Sequence, residues 1–157
     1  KEDIMGDKSI ITTMGSGSIF AENFLGHDKQ DEKTNVSYFA ASDSEVLMVP
    51  FGKVLTDLSN NDPCRNKLLT IMASNNAQLI EKTEILCKKT LRGKIMTYLE
   101  QEAKRNGSTE FEIPFNRTDM ANYLDADRSA LTRELARMKD CGLIDFDKRN
   151  FKILKFE

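Results

Sequence analysis

Four side chains able to recognise a nucleic-acid surface crowd one short stretch of the chain: Arg128, Ser129, Thr132 and Arg133, with Arg137 one turn further on. Helical spacing puts them on one side, while Leu131, Leu135 and Met138, at i, i+4 and i+7, take the other. A guanidinium is a planar fork of donors, so Arg128 and Arg133 are chemically able to grip O6 and N7 of guanine through two parallel hydrogen bonds. That is recognition chemistry, with no bond made or broken. The same face also fits the plainer description of a solvated, charged helix surface. Recognition is favoured by the Arg-Ser pair at the N-terminal end of the helix, by the three arginines and by the short turn before them.

Bond-making chemistry has little to work with. His27 is the only histidine and sits in a polar loop; one imidazole supplies neither a catalytic ligand set nor a triad. No phosphate-cradling glycine loop of the P-loop kind occurs. Cys64, Cys87 and Cys141 are odd in number, widely spaced and never in a CxxC pair, which reads as reduced thiols rather than a disulfide framework or metal cluster. No catalytic residue, metal site or cofactor is assigned, and the protein is expected not to be an enzyme.

The recognition face needs a scaffold, and its neighbours supply one. Asn116 suits an N-cap, with Asp119 three residues on, where a carboxylate favours the free N–H groups and the helix dipole. Met120, Ala121 and Leu124 can then face a core. Asp125 stands where a tight turn often uses glycine, and Asp tolerates the left-handed conformation better than most residues. Asp127 caps the second helix. Two short helices across Asp125-Ala126-Asp127 make a helix-turn-helix, whose second helix could lie in a DNA major groove. Beyond Cys141-Gly142, Leu143–Phe146 and Phe151–Phe156 read as strands joined by Asp147-Lys148-Arg149-Asn150. Such a hairpin completes a winged helix, with Arg149 at a tip that can meet phosphate or simply close the small core.

Upstream, Thr90 to Arg105 reads as a helix with Leu91, Ile95, Met96 and Leu99 at helical spacing, ended by Asn106-Gly107. Phe111, Ile113 and Phe115 then alternate with Glu112 and Pro114, a short edge strand. Asp62-Pro63 opens a longer helix, Asp62 as N-cap and Pro63 at the first helical position, uninterrupted to about Lys89. Leu68, Met72, Leu79 and Leu86 form its stripe, with Leu69, Ile71 and Ile80 beside it and Asn75 and Asn76 interrupting it. The helix either lies on its own domain or pairs in a two-stranded coiled coil, where a polar seam residue sets register. About 27 residues would run about 40 Å, more than a small domain covers, which favours pairing. Leu68, Met72, Asn75, Leu79 and Leu86 are therefore the expected dimer interface.

Residues 1–55 read as β-structure. Ser9–Thr12, Val36–Phe39 and Glu45–Val49 are rich in β-branched and aromatic residues, and Gly6-Asp7, Gly15–Ser18 and a polar stretch over 26–35 separate them. About 55 residues make a thin core for a roll, so further N-terminal strands beyond Lys1 are expected. The expected organisation is a partial effector-sensing β-roll at 1–60, a dimerisation helix at 61–89 and a DNA-binding winged helix-turn-helix at 90–157.

Charge follows that division. The 157 residues carry a net −2, with 39% hydrophobic and 31% charged residues, a globular rather than disordered balance. From Lys88 onward 15 Lys and Arg face 12 Asp and Glu, whereas residues 1–87 hold 8 against 13. A basic C-terminal half on an acidic N-terminal half is what a separate anion-binding module would produce. No apolar run approaches the roughly 18 residues that span a bilayer and no secretory signal opens the chain, so a cytoplasmic protein without a membrane partner is expected.

The order of elements, and above all TLRGKIMTYL and IPFNRTDMANYLDADRSALTRELARMKDCGLI, resembles the Crp/Fnr superfamily of bacterial transcription regulators, relatives of the catabolite activator protein. The resemblance implies an α+β fold: a cyclic-nucleotide-binding-like β-roll, here partial, a long dimerisation helix and a C-terminal winged helix-turn-helix. By position, Arg128, Ser129 and Arg133 fall at its base-reading places, and Arg117 and Thr118 where the family touches backbone phosphates; Thr132, Arg137 and Arg149 join them as further DNA contacts. Ser129 departs from the glutamate of several members, so an operator sequence does not transfer. GSGSIFAENF resembles the entrance to the family's phosphate cassette, with Glu22 matching its ribose-binding glutamate. Thr34 and Asn35 stand where cAMP-binding members place an Arg-Ser pair. Residues 1–60 contain no arginine, so no bidentate phosphate clamp can come from them. Leu79 and Ile80 replace the hydroxyl residues that would meet a purine. Glu22, Thr34, Asn35 and Leu79 would line an effector pocket, for an effector other than cAMP.

The leading expectation is thus a dimeric, effector-controlled, sequence-specific regulator of double-stranded DNA with a palindromic operator. RNA polymerase and a small-molecule effector are the further partners such a regulator implies. The alternative is a sensor or protein-interaction module whose helix-turn-helix is a docking scaffold, which the net negative charge would suit.

Overall fold

The computed structural model describes residues 9–20, 37–50, 52–54, 56 and 61–155. The fold is α+β. Among the described residues, 52–54 are helical, and the longer elements follow one another as α1 (Asp62–Leu86), α2 (Leu91–Asn106), β1 (Glu110–Glu112), α3 (Arg117–Leu124), α4 (Arg128–Asp140), β2 (Ile144–Asp147) and β3 (Asn150–Ile153).

Local chemistry sets the helix ends. The N-cap of α1 is Asn61, whose side chain accepts from the Cys64 N–H at 3.1 Å. Asp62, expected at that position, is instead the first helical residue. There its carboxylate meets the positive end of the helix dipole and pairs with Arg65 at 2.5 Å. The 25 residues of α1 give a rod about 37 Å long. Thr90 caps α2 by accepting from Gly93 N–H, and Gly107 ends it in the left-handed conformation at φ 62°. Asn116 caps α3, its side chain accepting from the N–H groups of Thr118 at 2.9 Å and Asp119 at 3.0 Å. Asn116→Ala should lower stability by about 1 kcal/mol in denaturant unfolding, with Asn116→Ser keeping most of it. An alanine variant as stable as the parent would show that the cap contributes nothing.

The sheet runs β1-β3-β2, antiparallel throughout. Phe111 faces Phe151 and Phe146 faces Phe151 across the two ladders. One core serves all these elements: Ile85 of α1, Ile95 and Leu99 of α2, Met120 and Leu124 of α3, Leu131, Leu135 and Met138 of α4, and Ile144 of β2 are each fully buried. Met138, Leu135 and Leu131 fall on one side of α4, as their spacing demands. The hairpin meets the C-terminal end of α4, where Lys139 pairs with Asp145 at 2.6 Å.

The N-terminal stretch differs from its expected β-structure. Neither Ser9–Thr12 nor Glu45–Val49 forms a strand, and no strand occurs among the described residues before Glu110. A period-two pattern becomes a strand only when a neighbour completes its hydrogen-bond ladder, and none does so here. Leu47 and Met48 stand 87% and 89% exposed. Ile10 packs on the edge of the C-terminal core instead, its N–H donating to the Asn122 carbonyl at 3.4 Å. Val36 lies outside the described residues, and Tyr38 and Phe39 beside it are exposed.

Candidate nucleic-acid interface

The turn between α3 and α4 is short because Asp125 adopts the left-handed conformation, φ 50° and ψ 63°. Its N–H donates to the Ala121 carbonyl, and so does that of Ala126, at 3.0 Å. Asp127 then starts α4, its Oδ1 accepting from Ala130 N–H at 2.8 Å. With Leu131, Leu135 and Met138 inward, Arg128, Ser129, Thr132, Arg133 and Arg137 are all exposed. The structure therefore brings the five together on one outward face.

Their free valences differ. Arg128 and Arg133 enter no ion pair or hydrogen bond through their side chains among the described residues, so both guanidinium forks are open. The Thr132 hydroxyl donates to the Arg128 carbonyl at 2.9 Å, inside its own helix. Arg137, 70% exposed, lies 3.6 Å from Glu134. Glu134 is held in turn by Arg92 of α2 at 2.7 Å, which fixes that carboxylate beside the face rather than on it.

Arg117 has a role that the sequence did not disclose. Its guanidinium lies 4.8 Å from the Phe146 ring and 5.1 Å from the Phe151 ring, fastening the first turn of α3 to the wing. Burial makes its charged form less favourable than usual, and its Nη1 is buried without a hydrogen-bond partner. Thr118 is exposed on the same turn. Arg149 pairs with Glu112 at 2.8 Å, both more than half exposed; such a solvated pair is worth little and yields readily to a stronger anion. Lys148, beside it at the hairpin tip, is exposed at φ 51°. Sequence reading passed over Lys148, although a basic residue at a wing tip was signal enough.

The carboxyl end of α3 has no basic residue of its own in its last turn. Two lysines from other helices supply the charge. Lys94 of α2 donates to the carbonyls of Leu124 at 3.1 Å and Asp125 at 3.3 Å, and Lys82 of α1 donates to the Tyr123 carbonyl.

The effector-pocket residues Glu22, Thr34 and Asn35 lie outside the described residues, while Leu79 is 47% exposed on α1. Met72 and Leu86 are exposed on the same flank, with Leu69 and Ile80 beside them, and Leu68 is half-buried. Asn75 is half-buried and donates to the Ile19 carbonyl at 3.4 Å. Among the described residues no three His, Cys, Asp or Glu side chains gather as a metal site, and no helix is long and apolar enough to cross a membrane.

The family model of the Crp-like helix-turn-helix domain matches residues 93–157. Individual relatives are more distant. Electron transport regulator A of Shewanella oneidensis is 26% identical over 147 residues, covering 89% of this chain and 56% of that protein. The structure of FixK2 from Bradyrhizobium japonicum is similar in fold, with a TM-score of 0.56 at 18% identity over 66% of this chain and 54% of that one. The chain thus spans about half the length of either relative.

Proposed function

We propose that this protein is a sequence-specific DNA-binding transcription regulator that acts as a homodimer under the control of an effector other than cAMP. The observation that carries the proposal is the outward face of α4. Two unengaged guanidinium groups, Arg128 and Arg133, flank Ser129 on the second helix of a Crp-like helix-turn-helix domain. A 1.5 Å rise per residue puts these two arginines about 7.5 Å apart along the axis, matching about two base-pair steps. Arg128, Ser129 and Arg133 read base edges; Thr118, Thr132, Arg137 and Arg149 serve phosphates or neighbouring groups. Arg117 acts there only by leaving its place over Phe146 and Phe151.

The apolar flank of α1 supports the dimer. Leu69, Met72, Leu79, Ile80 and Leu86 are each at least 40% exposed, and burying them against a second copy removes that surface from water. Two-fold symmetry then calls for a palindromic operator with half-sites about 34 Å apart, one turn of DNA. A regulator of this kind has RNA polymerase as a further partner. The name of the Shewanella relative, a regulator, agrees with this reading. The absence of arginine from residues 1–60 supports an effector without a cyclic phosphate.

The test is selection of binding sites from random duplexes, followed by titration at several salt concentrations. A palindromic consensus should emerge, with affinity falling steeply as salt rises, by a log–log slope of about −0.9 for each phosphate neutralised. Equal affinity for selected and random duplexes would refute a sequence-specific regulator. A stable protein partner in place of DNA would make the motif a docking scaffold.

A further inference from the structure

Among the described residues Lys82 is the one buried lysine, 8% exposed on the inner side of α1. Its Nζ donates to the backbone carbonyl of Tyr123, in the last turn of α3. The same Nζ lies 3.3 Å from the centroid of the Tyr123 ring. That ring is itself wedged against Phe115 at 4.8 Å and Tyr98 at 5.3 Å. One ammonium thus joins the carbonyl end of a helix, where the dipole is negative, to the electron-rich face of an aromatic cluster. A buried ammonium is a poor way to gain stability, because desolvating it opposes folding, whereas an apolar side chain of similar length would not. What the charge adds is direction: it fixes which carbonyl and which ring face the long helix.

We propose that Lys82 is a positioning residue for DNA recognition, fixing the first helix of the helix-turn-helix to the end of the long helix and so passing movement of α1 to the DNA-reading face. The coupling runs from Lys82 to Tyr123, through the left-handed turn at Asp125, to α4. It rests on the DNA-binding function proposed above. Lys94 holds the neighbouring carbonyls from α2, so α3 is gripped from both helices. The Lys82 grip ties it to the helix that carries the apolar flank where a second copy would pair.

The charged and titratable groups facing Lys82 are Asp125, Lys94 and the Tyr123 phenol. Burial is the main influence and lowers its pKa to about 8; Asp125 opposes that and Lys94 adds to it. The sign can be followed directly. The unfolded lysine, near 10.5, holds its proton over a window where the folded one has lost it. Overall stability therefore gains from this group as pH rises from about 8 towards 10.5. The charged grip on Tyr123 fades over the same window, so positioning and stability move in opposite directions.

The experiment uses the full chain with Cys87→Ser and spin labels on Cys64 and Cys141, diluted with unlabelled protein so that distances within one chain are read. At pH 7 the parent should give a narrow distance distribution, and Lys82→Met a broad one with no loss of thermal stability. Raising the parent to pH 9 should broaden it likewise. On selected duplexes Lys82→Met should bind about tenfold more weakly, as substitutions at coupling positions do. Lys82→Arg, which keeps charge and donors, should recover most of that affinity and lack the decline between pH 7 and 9. Should Lys82→Met not fold, Lys82→Gln is read in the same way. A methionine or glutamine variant with the parent's distance distribution and affinity overturns the proposal. If the parent binds no DNA, the proposed function fails, while the distance distributions still decide the grip.

Discussion

Arg133→Ala is expected to erase the preference for the correct base at one operator position while leaving much of the general affinity for DNA in place. The side chain is exposed on α4, has no ion pair to break among the described residues, and sits mid-helix, so its loss should not disturb the fold. A bidentate arginine–guanine contact discriminates by about 1–3 kcal/mol, or about 5- to 150-fold. Competition binding with single-base operator variants is the measurement. The parent should reject substitutions at the contacted position, and the alanine variant should accept them almost equally. A uniform loss across all sequences, with the salt slope reduced by about one, would instead make Arg133 a phosphate contact. No change at all would remove α4 from the interface.

The second large effect concerns the platform. Leu135 is fully buried and lies between Leu131 and Met138 on the inner side of α4. Leu135→Ala should cost about 2–5 kcal/mol, from lost burial together with the cavity left behind. A small domain has only about 5–15 kcal/mol to lose, so a large part of its stability goes with that one side chain. Denaturant unfolding followed by circular dichroism should show the midpoint moving sharply down. Leu135→Met, close in volume, should cost less than about 1.5 kcal/mol. An alanine variant as stable as the parent would mean that α4 is not packed through this face.

The parts of the fold that were legible in the sequence are those decided within a few residues. Asn116 and Asp127 cap the helices they were expected to cap, because a side-chain oxygen needs only the N–H groups two or three residues on. Asp125 takes the left-handed turn, and Gly107 ends α2 in the same conformation. At Asn61-Asp62 two equally able caps stand side by side, and the sequence could not rank them; the hydrogen bond to Cys64 N–H does. The N-terminal patches were misleading for a different reason. Val46 to Val49 have strand chemistry, but a strand is a property of two segments, and the second is not among the described residues.

The sites that escaped sequence reading depend on distant partners. Lys82 lies on α1 beside the stripe of Leu79 and Leu86, and nothing within a few residues of it marks it as buried. Its carbonyl partner is 41 residues away. Arg117 matched a phosphate contact by position, yet its aromatic neighbours, Phe146 and Phe151, arrive from the wing. The outward placement of Arg128, Ser129 and Arg133 was legible because helical periodicity alone separates them from Leu131, Leu135 and Met138.

Asp127 has a consequence for how such a protein would find its site. By accepting from Ala130 N–H it places the protein's own carboxylate at the amino end of α4. A helix entering DNA with that end unoccupied gains a ready-made phosphate anchor on any sequence. Under the proposed function that anchor would carry the protein's own negative charge, so random duplex would be held less firmly and each visit to it would be brief. The molecule would search by frequent release and return, stopping where the arginines of α4 meet their bases.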